Sequence, residues 1–67
     1  MKNKIRRIDA NKKILEILAT LIEKHPELRF HQILLNYSVT LQGIDTFFEE
    51  SLVTLARLQQ AVENFEE

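Results

Sequence analysis

Apolar residues recur at helical spacing in the first third of the chain, at Ile14, Ile17, Leu18, Leu21 and Ile22. Leu15 and Ala19 widen this face. The spacing predicts a helix over 9–25 that begins at Asp9, because a short carboxylate accepts a hydrogen bond from a free amide at a helix start. Pro26 disfavours a helical conformation at the residue before it, so the helix is expected to end there.

A second amphipathic pattern follows Pro26. Its apolar positions are Phe30, Ile33, Leu34 and Tyr37. The spacing i, i+3, i+4, i+7 buries one face of a helix and predicts one over 27–37. Arg29, Gln32 and Asn36 form a polar row along the same helix. Residues 38–45 then favour a connector, and we do not expect a strand there because it would have no partner.

The last apolar pattern follows steps of three and four residues, at Leu52, Leu55, Leu58, Val62 and Phe65. This is the a/d pattern of a helix seam and predicts a helix over 51–65, with Ser51 as its N-cap. The seam can be the core stripe of a three-helix unit or a dimer interface. Phe47 and Phe48 are expected to approach in an extended segment and pack their rings under the helix pair.

These patterns predict an all-α, compact three-helix domain over 9–67, preceded by a basic N-terminal arm over 1–8. A chain of 67 residues removes only about 60% of its unfolded surface from water. It has no cysteine that could form a disulfide. Its small core therefore favours a homo-oligomer, with a dimer as the preferred form and the third helix as one possible interface.

The net charge of −1 conceals an asymmetry. Residues 1–13 carry six Lys or Arg against one Asp, and residues 45–67 carry six acidic residues against one Arg. This arrangement can hold the two ends of one fold together, align neighbouring subunits, or reflect two solvated segments. A basic start also permits DNA binding through the arm. Against DNA binding by a helix-turn-helix motif, the connector is too long and the third helix is acidic.

The sequence offers little chemistry for catalysis. His25 and His31 do not complete a metal site, Gly43 is the only glycine, and no nucleophile lies at a recognisable spacing from a base. We therefore expect neither an enzyme nor a bound metal or cofactor. The chain also shows no secretory signal and no apolar run of membrane-spanning length, so a cytoplasmic protein is expected.

Two segments of the chain match a family pattern. HPELRF-x-QILLN is followed by D-x-FFEES and TL-x-RL. The chain resembles small proteins of bacteriophages, prophages and mobile elements of Gram-positive bacteria, which carry P-[DE]-x-R-[FL]-G-Q-[IL]-[LI]-x-N and then D-P-F-[YF]-x-E. His31 replaces the Gly of this pattern and Thr46 replaces its second Pro. The resemblance implies a mobile-element setting and no particular reaction.

The polar row of Arg29, Gln32 and Asn36, with His31 beside it, is the candidate partner-binding surface. Arg29 can instead clamp Glu49 or Glu50 and hold the DTFFEES segment against the second helix, and we favour this structural role. The function predicted from the sequence is protein binding by a small accessory protein. One alternative is a helical oligomer that sequesters an anionic nucleotide at a junction lined by Arg29, His31, Gln32 and Tyr37.

Overall fold

The computed structural model describes residues 6–65, which form three α-helices. They are α1, Arg7–Lys24; α2, Phe30–Asn36; and α3, Ser51–Phe65. No strand occurs between residues 6 and 65. The predicted all-α, three-helix fold is therefore confirmed, and the predicted bounds of the third helix are those observed. The prediction of Ser51 as its N-cap is wrong: Ser51 is the first helical residue, and the carbonyl of Glu50 accepts the first helical bond from the Thr54 amide.

Helix α1 begins two residues earlier than the sequence indicated. The carbonyl of Arg6 accepts the first helical bond, from the amide of Ala10 at 2.9 Å. Asp9 lies within the first turn, where its carboxylate pairs with the Arg6 guanidinium at 3.1 Å. A carboxylate in this turn is favourable because it faces the positive end of the helix dipole. The predicted arm thus loses Arg7 and Ile8 to α1, and its residues 1–5 lie outside the described part of the chain.

Pro26 separates α1 from α2, as predicted, but α2 is shorter than the predicted 27–37. The His25 amide closes α1 on the Leu21 carbonyl at 3.0 Å, and the Leu28 amide then bonds back to the His25 carbonyl at 3.0 Å. Pro26 therefore lies in a tight turn and not in the first turn of α2. Arg29 has extended dihedral angles and precedes α2 as its N-cap residue.

The end of α2 depends on a left-handed residue. Ser38 has φ 62°, and the Val39 amide reaches back to the Leu34 carbonyl at 2.8 Å. This reversal is typical of a helix C-terminus, where glycine is the usual residue. Residues 37–50 then connect α2 to α3 without regular structure, with Gly43 at φ 79°.

Helices α1 and α3 run in the same direction. Their starts are joined by Arg7 and Glu50, and further along both helices Leu21 and Leu58 share one buried cluster. Helix α2 and the connector lead the chain back from the end of α1 to the start of α3. The buried cluster consists of Leu18, Leu21, Ile33, Tyr37, Leu58 and Ala61.

The predicted seam of α3 is mainly part of this core. Leu55 and Leu58 are buried within the chain, and Val62 packs against the cluster. These residues therefore belong to the core stripe, one of the two interpretations of the pattern, and a dimer stays a prediction from the sequence. Leu52 and Phe65, at the ends of the pattern, remain exposed. The apolar period identified the buried side of α3 but could not say which helix covers it.

Other predicted core positions are exposed. Phe30, the first residue of α2, is about half exposed because α2 begins only there and its packing face is carried by Ile33 and Tyr37. On α1, Leu15 and Ile22 also remain exposed, so the apolar pattern of this helix is wider than the face that its neighbours cover. Among the described residues, no helix is both long and apolar enough to cross a membrane.

The packing of α3 predicts opposite results for two leucines on that helix. Leu58→Ala should destabilise the fold by about 2–5 kcal/mol, because it leaves a cavity at a fully buried position. Leu52→Ala should change the free energy of unfolding by less than about 1 kcal/mol, because Leu52 is exposed. Urea unfolding followed by circular dichroism measures both. Equal losses would contradict the assignment of Leu58 to the core and Leu52 to the surface.

Candidate functional site

The polar row of α2 does not form a converging site. The Gln32 Oε1 accepts the Arg29 amide at 2.7 Å, so this side chain caps the start of α2. Arg29, His31 and Asn36 are exposed. Asn36 borders a surface cavity of about 290 Å³ with Tyr37 and Phe65. One of the three row residues thus supports the helix, and the others lie on its open surface.

The predicted clamp by Arg29 is wrong, because other arginines hold the two carboxylates. Glu49 and Glu50 are both held by guanidinium groups, but these belong to Arg57 and Arg7. The prediction that the DTFFEES segment is fixed through its carboxylates is correct. Arg29 was the predicted partner because it lies in the polar row, whereas the path of the connector places the carboxylates beside α3 and the start of α1.

Arg57 forms the central contact of the connector, which we call the arginine clamp. Its Nη1 and Nη2 donate to the two carboxylate oxygens of Glu49 at 2.7 and 2.9 Å. Its Nε donates to the Ser38 carbonyl at 2.8 Å, and Nη2 also reaches the Val39 carbonyl at 3.3 Å. The Thr54 hydroxyl donates to Glu49 as well. One side chain therefore ties both ends of the connector to α3.

The clamp changes the ionisation of its carboxylate. Hydrogen bonds from Arg57 and then from Thr54 lower the pKa of Glu49 to about 2. The same pairing with Glu49 raises the pKa of Arg57. Bidentate pairs of this kind combine charge with fixed geometry. The connector is consequently held by an ion pair that stays charged over the whole range of ordinary pH.

A second ion pair joins the starts of α1 and α3. Arg7 Nε and Nη2 donate to the two oxygens of Glu50 at 3.1 and 2.6 Å. The hydrogen bonds and charge of Arg7 lower the pKa of Glu50. The pair is exposed, so salt should screen it. Of the three roles considered for the charge asymmetry, this contact shows the first, an attraction within one fold.

Between these pairs the chain makes a turn, Asp45 to Glu49, which we call the aromatic turn. The Phe47 amide donates to the Asp45 Oδ1 at 2.9 Å, and the Glu49 amide donates to the Thr46 carbonyl at 3.0 Å. The rings of Phe47 and Phe48 meet edge to face, with centroids 4.9 Å apart.

The two phenylalanines are the most exposed large apolar residues of the described chain, at 81% for Phe47 and 90% for Phe48. The expectation that they pack under the helix pair is wrong. A turn replaces the expected extended segment, and the core cluster that joins α1 and α3 contains Leu18, Leu21 and Leu58 but neither ring. A cavity of about 390 Å³ lies beside the rings, lined by Arg7, Phe47, Phe48, Glu49, Glu50 and Ser51.

Of the residues considered for a nucleotide junction, Arg29, His31 and Gln32 are exposed, whereas Tyr37 is not. Tyr37 is buried, and its hydroxyl lies 3.2 Å from His25 Nε2. Glu27 approaches the other ring nitrogen of His25 at 3.8 Å. Within residues 6–65 no group of three or more His, Cys, Asp or Glu could hold a metal ion.

Several described basic residues near the start of the chain form ion pairs within the fold. Arg6 pairs with Asp9, Arg7 with Glu50, and Lys13 with Glu16. Lys2 and Lys4 lie outside the described residues. DNA binding through the arm therefore stays a prediction from the sequence.

Comparisons with protein-family models, curated proteins and solved structures find no match for this chain. The site therefore rests on its own geometry. Sequence reasoning missed the role of Arg57, although one signal could have indicated it. Arg57 is the only Lys or Arg after residue 29, among six carboxylates in the last 23 residues.

The clamp predicts different outcomes for two arginines. Arg57→Ala should lower the melting temperature by several degrees, because it removes the cation that pairs with Glu49 and the donor to two connector carbonyls. Arg29→Ala should leave it nearly unchanged, because that side chain is exposed and does not hold Glu49 or Glu50. Thermal unfolding of both variants checks this. A larger loss for Arg29→Ala would restore the clamp predicted from the sequence.

The low pKa of Glu49 predicts a specific pH dependence. Its folded pKa, about 2, lies below the ordinary value of 4.5. Its stabilising effect is therefore present above pH 4.5 and is lost as pH falls towards 2. Glu49→Gln should lower the melting temperature at neutral pH, and the difference from the unmodified chain should shrink between these pH values. Glu63→Gln, an exposed control on α3, should give no such converging curves.

Proposed function

We propose that this chain is a small protein-binding module whose anchor is the aromatic turn. The observation that carries the proposal is the exposure of Phe47 and Phe48 on a turn that other residues hold in place. Exposed aromatic residues of this size are unusual on a free surface and are enriched in the centres of protein interfaces.

The hydrogen bonds around the turn support this assignment. Glu49 is fixed by Arg57 and Thr54, and Glu50 by Arg7. The backbone between Asp45 and Glu49 has its own two hydrogen bonds. A segment that is already ordered loses little conformational entropy on binding, so a larger share of the ring burial contributes to affinity. The polar residues thus serve to present the aromatic pair.

The surroundings indicate the chemistry of the partner. Two edge-to-face rings require an apolar pocket wide enough for both. The adjacent cavity places the Arg7 and Glu50 pair at the rim of the contact. The proposed partner is therefore a protein with an apolar cleft and a polar border, which matches the usual anatomy of an interface.

The resemblance to mobile-element proteins supplies the setting of the proposal. We propose a cytoplasmic accessory protein of a phage or related element that acts by binding and not by catalysis. Nucleotide sequestration and DNA binding are the competing outcomes. The first gains no support from Tyr37, which is buried.

The test compares the two exposed phenylalanines of the aromatic turn with one exposed phenylalanine of α2. A tagged chain is used for capture from host cells, with quantitative mass spectrometry of the bound proteins. Phe47→Ala with Phe48→Ala should reduce capture of the specific partner at least about tenfold, as expected for loss of central aromatic anchors. Phe30→Ala is the matched control, because Phe30 is also exposed but lies on α2.

The captured protein is then purified and titrated against the three chains by calorimetry. Equal affinity for the unmodified chain and the Phe47, Phe48 double variant would contradict the proposal. Unchanged melting temperatures for both variants confirm that the fold is intact, since the removed rings are exposed. Retention of duplex DNA at low salt, reduced by added salt, would instead favour the arm.

A further inference from the structure

We draw no further inference here: the strongest candidate, the exposed apolar side of α1 formed by Ile8, Leu15 and Ile22, carries none because nothing in the structure shows what covers it.

Discussion

The contact between Arg57 and Glu49 determines how the long connector of this small protein is ordered. Fourteen residues without regular structure separate α2 from α3. Ordering such a segment costs conformational entropy, which favourable contacts must offset. The Arg57 guanidinium binds the carbonyls of Ser38 and Val39 near one end and the Glu49 carboxylate near the other. The connector thereby becomes a defined surface between two helices.

The hydrophobic core does not include the aromatic turn. The core is built from α1, α2 and α3 around Leu21, Ile33 and Leu58. The aromatic turn contributes no buried ring to that core. Phe47 and Phe48 therefore do not fill the interior and lie exposed on the surface. This separation of a packed scaffold from an exposed aromatic pair is the physical basis of the proposed binding function.

The sequence predicted the parts of the fold that depend on local rules. Pro26 marked the break after α1, and the three-and-four spacing from Leu52 marked the length of α3. It could not predict which apolar positions are covered, since periodicity identifies a face but not its neighbour. Leu15 and Leu58 fit helical patterns equally well, yet only Leu58 meets another helix. The partner of Glu49 was missed for a related reason, because it depends on the path of the connector.

The claim that Arg57 orders the connector is tested most directly by the backbone order of the aromatic turn, measured by nitrogen-15 relaxation. The account predicts order parameters for residues 45–50 close to the value of about 0.85 found for rigid backbone. It also predicts a fall below about 0.6 in Arg57→Ala while α1 and α3 stay ordered. A turn that is already flexible in the unmodified chain, or that keeps its order without Arg57, would contradict the account.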